Sequence, residues 1–279
     1  MKHLTVLLIC MLSFGACRQK SVIDFDMSYK PNSTYSISSE NTVKTVIQFQ
    51  SRNASIEKDS IEKQTKTAKS QKQIFTLKTN SMNPDQSFSW EMKIDSFTIN
   101  NESAIGSNKT IQDQIKGLII EGSIDKNKVL TIDTLIGNKI DDVIGSEIKN
   151  KADKLFSQIS FPSAKMSIGD EIIQVSPFEF PSKYSGDIQI KINSKYILKS
   201  IKDNFASFEI SQNIDSLNIA GKDFEIKGRG TGYCEYDIRN KYITKYQTNT
   251  NTDMKLKMYG QIMKVNSNSI YNQETSLKN

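Results

Sequence analysis

Apolar side chains recur at every second position along much of this chain. Phe88, Trp90, Met92 and Ile94 alternate with polar residues, as do Ile188, Ile190 and Ile192, and later Met254, Leu256 and Met258. Successive side chains of a strand point to opposite faces, so each run has one apolar and one wet face, as half-buried antiparallel strands do. Shorter or less regular runs lie near 35–49, 73–79, 118–124, 129–135, 196–201, 206–214, 224–238, 241–247 and 262–271. Turn formers separate them: Asn83-Pro84-Asp85, Asp125-Lys126-Asn127-Lys128, Ala220-Gly221-Lys222-Asp223 and Arg239-Asn240. Such short connections predict meanders, in which neighbours in sequence pair in space.

One segment departs from this period. Ile140, Val143, Ile144, Ile148, Ala152, Leu155, Phe156 and Ile159 recur at spacings of three and four, which predicts one main amphipathic helix over about 141–159. Asp141 or Asp142 suits its N-terminus and Pro162 stops it. Being single and mid-chain, its stripe is expected to pack on a sheet. A shorter helical turn is expected around Thr110 to Lys116. Residues 52–72 are almost wholly polar, with Ser55-Ile56-Glu57-Lys58 echoed by Ser60-Ile61-Glu62-Lys63, and read as solvated surface.

An internal echo organises the rest. Ile94-Asp95-Ser96-Phe97-Thr98-Ile99 returns as Ile214-Asp215-Ser216-Leu217-Asn218-Ile219. Upstream, Thr76-Leu77-Lys78 parallels Ile197-Leu198-Lys199. Downstream, Asp125 to Leu130 parallels Asp237 to Tyr242. The expected fold is therefore mainly β: two duplicated antiparallel meanders, about 35–135 and 186–271, in one curved sheet or two half-barrels, with the helix across the concave face. Residues 31–279 would form one β-rich domain. In both copies the alternation changes phase at the Asp-Ser pair, which predicts a β-bulge or bend at Asp95 and another at Asp215.

The N-terminus reads as an address. Met1-Lys2-His3 is a short basic region, Leu4 to Phe14 is apolar, and Gly15-Ala16 are small. Phe14-Gly15-Ala16-Cys17 resembles the bacterial lipobox, which implies a signal peptide over 1–16, diacylglycerol on Cys17 and a lipidated tether over 17–30. The membrane is thus an expected partner through the N-terminal lipid. Cys10 leaves with the signal, so Cys234 has no intrachain partner and stability must come from the core.

Composition excludes several classes of function. Lys and Arg number 37 against 31 Asp and Glu, a formal charge of +6, but acids are interleaved with the lysines and only Arg18, Arg52, Arg229 and Arg239 are arginines. That pattern does not fit nucleic-acid binding. The sole histidine, His3, lies in the expected signal, so Ser-His-Asp and Cys-His machinery and His-ligated metals are excluded from the mature chain.

The remaining motifs read as structure. Gly228-Arg229-Gly230-Thr231-Gly232 precedes a strand-like run, not the helix a phosphate loop opens, and its glycines would leave a smooth strip for close packing. Asp125-x-Asn127 lacks the later glycine and glutamate of a calcium loop. No catalytic residue, cofactor or metal site is expected, and the chain is not read as an enzyme. Phe88, Trp90, Met92 and Ile94 of one copy, with Phe208, Ile210 and Ile214 of the other, are the candidate lining of an apolar concave face. Asp59-Ser60-Ile61, Asp133-Thr134-Leu135 and Asp215-Ser216-Leu217 resemble the O-glycosylation sequon of the Bacteroidota periplasm, and Ser60 has the most polar surroundings.

Tyr29-Lys30-Pro31 leading to Tyr35, Phe161-Pro162 followed by Gly169-Asp170, and the glycine strip running into Tyr236-Asp237 resemble an uncharacterised family of β-rich lipoproteins of Bacteroidota-type envelopes. The resemblance implies a cell-envelope location, at the outer membrane more than the inner, on the periplasmic side or the surface. It brings no activity. Two functions are expected as alternatives: a non-enzymatic interaction or structural module with an envelope protein partner, or a carrier of a lipid or other hydrophobic ligand in a half-barrel cavity.

Overall fold

A computed structural model of the 279-residue chain describes residues 22–26, 29–51, 63–101, 112–113, 115–127, 129–137, 163–180, 188–216, 224–258 and 261–278. They are nearly all strand. In chain order these are β1 (Val22–Asp26), β2 (Ser33–Ser51), β3 (Lys63–Thr79), β4 (Phe88–Asn101), β5 (Ile119–Ile124), β6 (Leu130–Ile136), β7 (Ser163–Ser167), β8 (Glu171–Phe180), β9 (Ile188–Lys202), β10 (Phe205–Ser216), β11 (Phe224–Asp237), β12 (Tyr242–Met258) and β13 (Gln261–Lys278). The helix expected over 141–159 lies outside the described residues. The shorter turn is present: Gln112, Asp113 and Ile115 are helical, and Lys116 N–H donates to Gln112 O at 3.0 Å.

Eleven strands form one antiparallel sheet in the order β6-β5-β4-β3-β2-β13-β12-β11-β10-β9-β8, not closed into a barrel, and β1 pairs with β7 as a separate ribbon. Two five-strand meanders, β2 to β6 and β8 to β12, thus run the same way along the sheet with β13 between them. Equivalent strands lie six places apart. The second meander begins at Glu171 and ends at Met258, so it is displaced from the expected 186–271: β8 is the counterpart of β2, and β13 is an additional strand.

Register bears on the echo pair by pair. Phe88 faces Ile124 and Trp90 faces Gly122, whereas their echoes Phe208 and Ile210 face Cys234 and Gly232, two residues short of the positions that the echo of Asp125 in Asp237 assigns. Each of the two turns is closed by its aspartate, through different backbone positions. Asp125 Oδ1 accepts from Asn127 N–H at 2.9 Å and Val129 N–H at 2.8 Å, and Asp237 Oδ1 accepts from Asn240 N–H at 2.8 Å. The upstream echo does not keep register, since Leu77 faces Met92 whereas Leu198 faces Phe208.

The two expected bulges separate. Phe75 pairs with Ile94 and Ile74 with Ser96, which leaves Asp95 as the extra residue of a bulge. Its carboxylate accepts from the Thr76 hydroxyl at 2.6 Å. Asp215 instead pairs with Lys191 on one side and Lys227 on the other, without interruption. The irregularities of that meander lie at Ser207/Phe208, where Lys199 of β9 is the surplus residue, and at Glu235/Tyr236, where Thr244 of β12 is.

Within the expected 17–30 tether, residues 22–26 form a strand instead. Val22-Ile23-Asp24-Phe25-Asp26 alternates like the longer strands, pairs with β7, and buries Ile23 and Phe25. Phe25 lies 4.8 Å from Phe208 and 4.9 Å from Tyr236, centroid to centroid. The Tyr236 hydroxyl accepts from Asp26 N–H at 3.2 Å and donates to Asp26 O at 2.9 Å, clipping the ribbon to the large sheet.

Candidate functional site

The candidate lining residues share one face of the large sheet, because cross-strand partners project to the same side. That face has three zones. Near the β3–β4, β5–β6, β9–β10 and β11–β12 turns it is apolar and packed. Phe208 and Ile210 belong there to a cluster with Ile23, Phe25, Met166, Leu198 and Tyr236. Phe88 and Trp90, with Met92 at its margin, belong to a second cluster with Tyr35, Leu77, Ile124 and Ile132. Among the described residues the two sets fall in separate clusters. Trp90 is 3% exposed, Ile210 is 0% exposed, and Ile94 is buried. The Trp90 ring lies over Gly122, where an added Cβ would fall 2.5 Å from it. Trp90 Nε1 is buried without a hydrogen-bond partner.

Next to this zone runs a polar belt. Gln174, Ser194, Gln212, Gly230, Thr250 and Ser269 stand in one transverse row across β8 to β13. Gln212 Nε2 donates to Ser194 Oγ at 3.1 Å, and Thr250 Oγ1 donates to Gln212 Oε1 at 3.2 Å. Gly230 lies between Gln212 and Thr250, and an added Cβ would fall 2.7 Å from Thr250 Oγ1 and 2.9 Å from Gln212 Oε1. The glycine strip therefore serves neither a phosphate nor an open groove at this point. It lets the strands on either side bond over it. The Tyr196 hydroxyl donates to Gln174 Oε1 at 3.1 Å, and burial holds its ionisation well above the ordinary tyrosine range.

Beyond the belt the same face turns apolar again. Ile47, Val265, Met254 and Ile226 form one transverse row, and Phe49, Met263, Leu256 and Phe224 the next. Ile226 is buried and the others are half-buried. Period two marks these residues as inward-facing, but only the register shows that they align into rows separated from the core by a polar belt.

Among the described residues no group of three or more His, Cys, Asp and Glu could hold a metal ion. Cys234 is fully buried against this core and burial pushes its thiol up to about 12, which keeps it protonated near neutrality. On the outer face lies a shallow depression lined by Glu225, Lys227, Asp253 and Lys264, whose polar groups pair with their neighbours, Lys227–Glu225 at 2.6 Å and Asn266 Nδ2 to Asp253 at 2.5 Å. Cys17, Ser60, Asp141 and Asp142 lie outside the described residues. No protein-family model matches the sequence, and no curated protein matches it.

Proposed function

We propose that the chain is a lipid-anchored envelope protein, held through Cys17, that works as an interaction module and not as an enzyme. One observation carries the second half of this reading: Phe88, Trp90, Phe208 and Ile210, among the side chains best placed to line a cavity, are buried in packed clusters, and Ile94 is buried too. A filled interior leaves the surface to do the work. The outer face supplies a broad polar one, with Asn268 Nδ2 donating to Asn249 Oδ1 at 2.7 Å and Asn251 Oδ1 at 2.8 Å among its cross-strand bonds. The anchor is supported by the short basic, apolar and small-residue succession ending at Cys17.

Fractionation of cells expressing Cys17→Ser tests the anchor: the variant should leave the membrane fraction and take up no labelled fatty acid. Native mass spectrometry of the signal-less protein tests the filled interior, with the mass of the chain alone as the expected result. The alternative reading, a carrier of a hydrophobic ligand, is favoured by the second pair of apolar rows. Trp90 would report poorly on a guest there, since it sits in the other zone. Phe49→Trp in a Trp90→Phe background places the reporter on the row itself, and a saturable emission shift with phospholipid would decide for the carrier.

A further inference from the structure

Among the described residues, the β3–β4, β5–β6, β9–β10 and β11–β12 turns of the large sheet lie at one end, together with the β7–β8 turn and the start of β1. Asn32 N–H donates to Asn80 O at 3.0 Å, tying the entry of β2 to the β3–β4 turn, and Ile238 N–H donates to Asn204 O at 2.8 Å, tying the β11–β12 turn to the β9–β10 turn. Lys30 Nζ reaches Asn240 Oδ1 at 2.9 Å, and Gly169 N–H donates to Leu198 O at 2.8 Å from the β7–β8 turn. Val22 pairs with Ser167, the residue before that turn.

This end carries apolar side chains in water at its tips. Val22 is 60% exposed, Ile168 47% and Phe205 40%, and along the same rim Met82 is 53% and Val129 47% exposed. A turn tip is ordinarily polar, so one large apolar residue at each of several tips on one end is unlike scattered surface hydrophobics. Charge on the rim is balanced, with Lys126, Lys202 and Arg239 against Asp85, Asp125 and Asp203.

The position of the anchor selects the occupant. Only residues 18–21 separate Cys17 from Val22, so even a fully extended chain holds Val22 within about 18 Å of the lipid-bearing cysteine. We propose that the end of the sheet carrying the β3–β4, β5–β6, β9–β10 and β11–β12 turns is the membrane-facing surface, with Val22, Ile168 and Phe205 seated in the bilayer interface beside the anchor. This inference rests on the reading of Cys17 as lipidated. It deepens that reading by assigning the protein an orientation, with the other end of the long strands pointing away from the membrane. Because the rim is electrically balanced, apolar side chains supply the contact, and added salt should leave it unchanged.

The test uses the full lipidated protein reconstituted in phosphatidylethanolamine–phosphatidylglycerol vesicles, with single cysteines at Ile168→Cys, Phe205→Cys or Lys66→Cys carrying an environment-sensitive fluorophore. Cys17 is blocked by its lipid and Cys234 is buried, so the labelled site is the introduced one. The expected result is a blue-shifted emission at 168 and 205, with quenching by brominated lipid roughly threefold above that at 66, at low and high salt alike. Protein that floats with the vesicles yet shows no shift at 168 or 205 overturns the orientation and leaves the anchor standing. A shift at Val175→Cys on β8 without one at 205 means the sheet lies edge-on and also overturns it. Protein that does not float removes the anchor, and the orientation with it.

Discussion

Gly122 and the buried tyrosines show how single residues set limits here. An added Cβ at Gly122 would lie 2.0 Å from Thr131 O and 2.5 Å from the Trp90 ring, and backbone oxygen cannot swing aside. Gly122→Ala should therefore cost about 1–3 kcal/mol and move Trp90 emission toward that of a wetter indole, as urea titration followed by fluorescence will show. Burial pushes Tyr29, Tyr236 and Tyr246 up to about 12 from an ordinary value near 10. Above the ordinary value the unfolded chain has lost phenolic protons that the folded one keeps, so stability present below pH 10 declines as pH rises toward 12. Phenolate absorbance should then rise together with loss of the β circular dichroism signal. A gradual, independent titration of the tyrosines would argue that they are solvated.

At the scale of the strand, what was legible depended on length and neighbours. β4 was readable because Phe88, Trp90, Met92 and Ile94 keep phase over seven residues and the odd step at Asp95 exposes its bulge. The equal odd step at Asp215 misled. There the change of phase falls next to the end of β10 at Ser216, so the ladder needs no extra residue. β1 escaped notice because five residues carry too little period, and its burial is decided by Met166 and Phe208, far away in sequence. β8 was obscured by Pro177, which an edge strand tolerates and a central strand does not. The candidate site was legible in kind, as inward apolar residues, but not in grouping. Which cluster holds Trp90 and which holds Ile210 follows from the order of eleven strands, and periodicity contains no strand order. The bulge offers a direct test. Deleting Asp95 leaves Ile94 opposite Phe75 and Ser96 opposite Ile74, so the protein should fold with a loss of about 1 kcal/mol, the worth of its Thr76 hydrogen bond. Deleting Glu91, which is in register with Lys78 and Glu121, forces Trp90 or Met92 to the wet face and should abolish folding. Thermal unfolding of the two deletions compared side by side settles whether the register is as described.

At the scale of the whole molecule the question is whether two meanders make one cooperative unit. Their clusters are distinct, but Tyr242 belongs to one and the next residue, Ile243, to the other. β13 pairs along its whole length with β2, from Gln261 opposite Ser51 to Lys278 opposite Thr34, and with β12 on its other side. A strand of 18 residues spans about 60 Å, so the seam between the meanders is as long as any pairing inside them. Two half-barrels side by side would meet over a short seam and unfold separately. One continuous sheet ties the loss of either cluster to the other through β12 and β13. Phe25→Ala empties a fully buried ring site in the first cluster and should cost about 3–5 kcal/mol. Trp90, the only tryptophan, reports from the second cluster. Cooperative unfolding requires that the variant's urea midpoint fall equally by Trp90 fluorescence and by circular dichroism. A Trp90 midpoint that stays at the wild-type value while the circular dichroism transition splits would mean that the meanders are separate folding units.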